Sequence, residues 1–249
     1  MTAARARGAE QHGRIASETL QVLADAGRGP LPIVTVSWAR SATGAIAAAD
    51  GSRTALSGPE ALRLTHRLRA MHDAILVGIQ TVLSDDPLLS VRLVEGAQPQ
   101  PVILDSRLRF PLEARLLSRT DRKPWIFHLE GAEPARGAWE HAKALAAGGA
   151  RLFPVPAGSG GLDLGRVLAG LMAEGIHSLM VEGGARVLGS FITQRLASQA
   201  VITVSPAVIH GIKGPQVPET GRSLRERYGS DEVVWVDFRG PRSGRPVPE

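Results

Sequence analysis

The chain has 249 residues, 43% hydrophobic and 21% charged, which suits a soluble protein of one large α/β domain or two small ones. Net charge is +5 from 29 basic and 24 acidic residues, and aromatics make up 4%; with the charges scattered and no basic stripe interleaved with aromatics, nucleic acid is not an expected partner. Cysteine is absent, which excludes disulfides, thiolate nucleophiles and cysteine zinc sites, and no apolar stretch approaches the roughly 18 residues of a membrane span.

All basic residues except Lys123, Lys143 and Lys213 are Arg. Arg suits bidentate binding of phosphate and carboxylate, although a general composition bias gives the same skew. No apolar core follows MTAARARGAEQHGR, so a secretory signal is not expected and the cytoplasm is the expected location. In chain order, Ile15–Ala26 has helical spacing and Gly27 follows as a stop. Residues 1–30 read as a helical appendage, residues 31–238 as the main domain and residues 239–249 as a flexible tail.

Ile33–Trp38 reads as a strand. Ser57 and Glu60 have the spacing of a capping box for a helix reaching Met71, with Leu64, Leu68 and Met71 on one face. Ala74–Gly78, Val102–Asp105 and Trp125–Leu129 are short apolar runs, expected as strands. A helix over Ala138–Ala147 precedes a strand at Arg151–Val155. Leu164–Glu174 is helical, Ser178–Val181 a strand, Ala185–Leu196 a helix, and Ala200–Val204 and Val233–Phe238 the last strands. Residues 156–163 and 211–223 read as loops. Strands without alternation, separated by helices, imply a mostly parallel central sheet with helices on both faces. Ligands then bind beyond the carboxyl ends of the strands.

Three stretches bring chemistry to those ends. In SLMVEGGARVLGSF a strand stops at Val181, and Glu182, Gly183 and Gly184 lead into a helix. Two glycines there let backbone amides approach a phosphate at the helix N-terminus, although a glycine pair also serves as a plain tight turn. In PVILDSRLR a strand ends at Asp105 and delivers Ser106 and Arg107. A hydroxyl with a guanidinium suits a phosphate monoester such as the 2′-phosphate of NADPH; a solvated turn is the plainer alternative. In DAILVGIQTVLSDDPLLSVR an apolar strand runs into Thr81, Asp85, Asp86 and Arg92, as one wall of a ligand site. None of the seven histidines has metal-ligand spacing, and no metal is expected.

The stretches LTHRLRAMHDAILVGIQTVLSDDPLLSVR (Leu64–Arg92), VILDSRLRFPLEARLL (Val102–Leu117) and IHSLMVEGGARVLGSFI (Ile176–Ile192) resemble the pyrimidine reductase of riboflavin biosynthesis, over about Pro32 to Gly211. The resemblance implies a dihydrofolate-reductase-like α/β fold, a homodimer, and NADPH-dependent reduction of the ribosyl group of a 5-amino-6-ribosylamino-pyrimidine 5′-phosphate to ribityl. It implies cofactor contacts at Ala39, Thr81, Asp85, Ser106 and the Gly184–Ser190 helix start, and with the residue-level reading the cofactor set is taken as Ala39, Thr81, Asp85, Ser106, Arg107, Gly183, Gly184, Ala185, Arg186, Val187 and Leu188. It implies substrate contacts at Arg69, Leu88, Arg92 and Glu182. The zinc deaminase that precedes the reductase in bifunctional members is not expected, since its signature needs cysteine.

After the first strand the family pattern resembles S-L-D-G-[KR]-I-A, where this chain has SATGAIA, with Thr43 at the acid's position and Ala45 at the base's. Ala55 stands where the family's tryptophan falls. The catalytic acid and base are therefore unassigned. Two alternatives stay open: a divergent NADPH-dependent reductase of another pterin-like or pyrimidine substrate, and a non-catalytic nucleotide-binding protein.

Overall fold

The computed structural model describes residues 13–50, 54–131, 138–218 and 222–239. Their centre is a nine-stranded sheet. Its parallel part runs in the order β10 (Gln199–Val204), β1 (Ile33–Arg40), β9 (Ser178–Val181), β3 (Ala74–Gly78), β4 (Gln100–Leu104), β5 (Trp125–Leu129), β6 (Arg151–Val155). β13 (Asp231–Asp237) and β12 (Ser223–Tyr228) extend it antiparallel beyond β10. The α/β class and the mainly parallel sheet expected from the sequence are both present.

Every residue of β3 is buried. Its alternate side chains feed different layers: Leu76 joins Val36, Phe127 and Val181 against helix α6 (Leu164–Ala173), while Ile75 and Val77 join Ile103, Phe110 and Ile126 on the other face. That second face continues as Met180, Val201 and Trp235 packed under Leu64 and Leu68 of helix α2 (Pro59–Met71). Burial on both faces is why these strands read as unbroken apolar runs.

The first helix, α1 (Gly13–Leu23), packs into that same layer through Ile15, Ala16 and Val22. Glu226 of β12 accepts from the Arg14 and Ile15 amides at 3.2 and 3.0 Å, satisfying two first-turn donors that no α1 side chain reaches. At the other end of the chain, Arg239 joins Asp237 to Asp25 beyond α1. Most of the expected tail, residues 240–249, and residues 1–12 lie outside the described residues.

The capping box over Ser57 and Glu60 does not form. The N-cap is Gly58, without a side-chain cap, and Pro59 opens the helix, where its missing amide costs nothing. The Gly58 amide donates instead to Asp231 Oδ2 at 2.7 Å. Strand β12 falls where no strand is expected; its alternating burial, with Arg225 and Arg227 outward, has the polar half-pattern of an edge strand. Two small ribbons are likewise unforeseen: β2 (Ala45–Ala48) with β11 (Gly211–Lys213), and β7 (Ala157–Gly158) with β8 (Gly161–Leu162).

A buried polar chain crosses the sheet. His72 Nδ1 donates to Leu68 O and its Nε2 accepts from the Thr35 hydroxyl, both at 2.7 Å. Gln199 Nε2 donates to Thr35 at 2.9 Å, and Trp235 Nε1 donates to Gln199 Oε1 at 2.7 Å. Each polar atom has its partner, so the chain fixes the register of β1, β10 and β13 without an unmet group.

Ile15 is fully buried while Leu20 on the same helix is 45% exposed. Ile15→Ala is expected to cost about 2–5 kcal/mol in urea unfolding, against less than about 0.5 kcal/mol for Leu20→Ala. Equal small effects would show that α1 is not part of the core.

Candidate active site

A cleft of about 1650 Å³ opens at the carboxyl ends of β1, β3, β4 and β9. It is larger than the roughly 300–1,000 Å³ of a typical single-ligand pocket. The first wall begins where β3 stops at Gly78 and helix α3 (Ile79–Asp85) starts. A Cβ on Gly78 would lie 2.9 Å from Val187 Cγ2, so glycine is what lets this turn press against the neighbouring helix. Asp86 ends α3 in the left-handed region at φ 38°, and Leu89 sits there too at φ 49°. Thr81, Asp85, Leu88 and Arg92 all line this side.

The second wall is the turn from β9 into helix α7 (Ala185–Thr193). Gly184 is the N-cap and offers no side chain, so the first-turn amides at the mouth of α7 stay uncapped. A Cβ on Gly183 would strike Val187 Cβ at 2.9 Å, whereas one on Gly184 would meet nothing within 4 Å. The space beside Gly184, the open amides and the helix dipole together form an anion cradle. Arg186 donates to Gly160 O at 2.7 Å and so draws the β7–β8 hairpin over the same mouth, where Ser159, Gly160 and Gly161 join the lining.

Between the walls, β4 ends at the fully buried Asp105, whose Oδ2 accepts from the Phe110 amide at 2.8 Å. Burial pushes this carboxyl above the usual range. The turn it holds, with Leu108 at φ 49°, sets Ser106, Arg107 and Arg109 on the lining.

Arg69 and Glu182 join the walls. Arg69 Nε donates to Glu182 Oε1 at 2.8 Å and Nη2 to Oε2 at 2.6 Å, a bidentate pair, while Nη1 donates to Ser90 O at 3.1 Å. The charged bonds to Glu182 hold the guanidinium above its ordinary value against the pull of desolvation. Next to this pair, His66 Nδ1 accepts from the Arg92 amide at 3.1 Å. Burial first, then Arg69 and Arg92, push His66 down to about 4, so it is neutral with the proton on Nε2.

The cleft therefore collects Ala39, Arg69, Thr81, Asp85, Leu88, Arg92, Ser106, Arg107, Glu182, Gly183, Gly184, Ala185, Arg186 and Val187. It leaves out Leu188, whose fully buried side chain packs with Phe191 in the core; the helical period turns that position away from the mouth. Thr43 and Ala45 are also off the lining. Thr43 hydrogen-bonds to Ser41 and Ile209 O, and Ala45 is buried opposite Lys213, whose ammonium donates to Thr43 O. Ala55 does line the cleft. The sequence reading missed Arg109, Arg115 and the Ser159–Gly161 turn. Arg109 lies in the quoted PVILDSRLR stretch, but the hairpin left no signal beyond its glycines. Among the described residues no group of three or more potential ligands is placed to hold a metal ion, and no helix is long and apolar enough to cross a membrane.

A family model described as the RibD C-terminal domain matches residues 32–230. The chain is 35% identical over 206 residues to the 2,5-diamino-6-ribosylamino-4(3H)-pyrimidinone 5′-phosphate reductase of Methanothermobacter thermautotrophicus, covering 82% of this chain and 88% of that protein. It is 35% identical over 225 residues to the reductase of the same name from Archaeoglobus fulgidus, covering 83% and 98%. Among solved structures, Acinetobacter baumannii RibD matches with a TM-score of 0.71 at 23% identity; the match covers 89% of this chain and 62% of that one, and shows a shared fold.

His72, like His66, is pushed by burial down to about 4. Both titrate near 6.5 when unfolded. Between about 6.5 and 4 the unfolded chain takes up protons that the folded one refuses, so stability is complete above 6.5 and falls as pH drops through that window. Asp105 acts in the opposite sense at the acid end, since its raised value means the folded state protonates first. The expected urea midpoint declines from pH 6.5 to 4, with a limiting slope of about 1.4 kcal/mol per pH unit per histidine. His66→Asn should flatten it. A midpoint constant across that window would contradict neutral, buried histidines.

Proposed function

This chain belongs to the RibD C-terminal domain family, and we propose that it reduces the ribosylamino group of 2,5-diamino-6-ribosylamino-4(3H)-pyrimidinone 5′-phosphate to ribitylamino, with NADPH as reductant. The observation that carries this reading is a cleft with room for two ligands, bounded by an anion cradle on one wall and Arg92 on the other. Relatives named for that reaction are matched over nearly their whole length, which supports the 2,5-diamino form of the substrate over its deaminated counterpart.

The residues present fit a dinucleotide. The uncapped amides of α7 and the space at Gly184 suit a pyrophosphate, and Ser106 with Arg107 suits the adenosine 2′-phosphate. When bound, the cofactor supplies a hydride. The chain's own work is to bind and orient. Arg92 takes the substrate's 5′-phosphate, and Glu182, held in place by Arg69, accepts from polar groups of the substrate. The ring-opened imine form of the glycosylamine is the form that would accept such a hydride, at C1′, with a proton going to the nitrogen. Thr43 and Ala45 lie off the lining and carry no acid, so neither gives that proton.

The chain works as a homodimer. Its sheet ends at β6, an edge strand that a second copy would cover.

Three measurements test the reading. NADPH oxidation should proceed with the 2,5-diamino compound and more slowly with the deaminated one; no oxidation with either rejects the activity. Arg107→Ala should weaken NADPH by about 1.5–3 kcal/mol, roughly 10- to 150-fold, and leave NADH unchanged; an equal loss for both would move the 2′-phosphate elsewhere. Light scattering at micromolar concentration should give twice the chain mass.

A further inference from the structure

Residues 88–92 belong to no helix or strand, and Leu88, Leu89 and Arg92 of them line the cleft. Backbone outside regular structure must find its partners elsewhere. Here five consecutive residues are each held by a side chain from outside the segment. Arg119 donates to Leu88 O at 3.0 Å and Leu89 O at 3.3 Å. Arg69 donates to Ser90 O at 3.1 Å. Gln98 takes both groups of Val91, accepting from its amide at 2.9 Å and donating to its carbonyl at 2.7 Å. His66 accepts from the Arg92 amide at 3.1 Å. The clamps are themselves fixed: Arg119 is 7% exposed and paired with Asp121, and His66 is 2% exposed. Leu89 keeps its left-handed conformation with its side chain 3% exposed, a geometry that persists only where the surroundings impose it.

We propose that His66, Gln98 and Arg119 are positioning residues that hold Leu88–Arg92 as a preset strap, so that the exposed Arg92 meets the substrate's phosphate without first ordering a loop. The consequence for substrate rests on the reading that Arg92 binds that phosphate; the rigidity of the strap does not. Side-chain clamps replace the ladder bonds that a strand would give, and they leave the outward face of the segment open to a ligand. A binding arm fixed beforehand raises affinity by removing the ordering cost.

Gln98 is half-buried and is not itself on the cleft lining, so Gln98→Ala is the cleaner probe; His66→Asn keeps an acceptor where Nδ1 stands. In the full-length protein, amide hydrogen exchange at Val91 and Arg92 is expected to be slow, and at least about tenfold faster in Gln98→Ala. The same variant should raise KM for the ribosylamino-pyrimidinone phosphate about tenfold, with kcat and NADPH affinity within about twofold. His66→Asn should stay near wild type where His66→Ala does not. In an Arg92→Ala background, Gln98→Ala should add nothing further to KM. Fast exchange of these amides in the wild type overturns the proposal, as does a Gln98→Ala effect that multiplies that of Arg92→Ala. If the wild type turns over no substrate, the activity reading falls, and the exchange measurement alone still decides the strap.

Discussion

The bidentate pair between Arg69 and Glu182 ties together parts of the chain 113 residues apart. Arg69 stands in the last turn of α2, and Glu182 stands just past β9. Desolvating two charges costs several kcal/mol per ion, and the cost is offset only when geometry and further hydrogen bonds are good. Both conditions hold, with contacts of 2.8 and 2.6 Å and a third bond from Arg69 to Ser90 O. Removing either partner would strand the other charge in a half-closed cleft. The pair thus links α2, the β9 turn and, through Ser90, the Leu88–Arg92 wall.

That link shapes the chemistry. Glu182 is oriented by Arg69 before any ligand arrives, and Arg69 spends its donors on Glu182 and Ser90. Arg92 on the same wall is exposed. On the opposite wall polarity comes from the backbone instead. Gly183 and Gly184 keep side chains away, and the start of α7 presents amides and the positive end of its dipole. One wall presents guanidinium groups, the other main chain, and the volume between them exceeds that of a typical single-ligand pocket.

Most of the polar groups behind the cleft have partners, Asp105 Oδ1 and Trp38 Nε1 being exceptions. His72, Thr35, Gln199 and Trp235 form a closed chain beneath β1, and Asp105 holds the turn after β4. Such networks favour one arrangement, because a shifted register would leave buried donors unmet. The loop carrying Thr43 and Ala45 is anchored differently, through Ile209 and Lys213 on the β11 side, which keeps both residues off the lining.

The sequence by itself determined the parallel core and the edge at which the cleft opens. Unbroken runs such as AILVG and VIL are legible because burial on both faces removes alternation, and Gly183-Gly184 is legible because it stands between a strand and a helix. The stretch from Asp73 to Arg92 and the three stretches resembling a known reductase supply many of the residues that line the cleft. Only the tertiary structure decided the rest. Strand β12 was hidden by the charges of an edge strand, and α1 could not be placed until Trp235 and Leu64 were seen beneath it. Leu188 shares the α7 motif, but the helical turn gives it to the core. Arg69 and His66 could be named from their helix, yet their partners Glu182 and Arg92 are set by how distant segments pack. Local pattern encodes which face of an element is buried; it does not encode which other element meets that face.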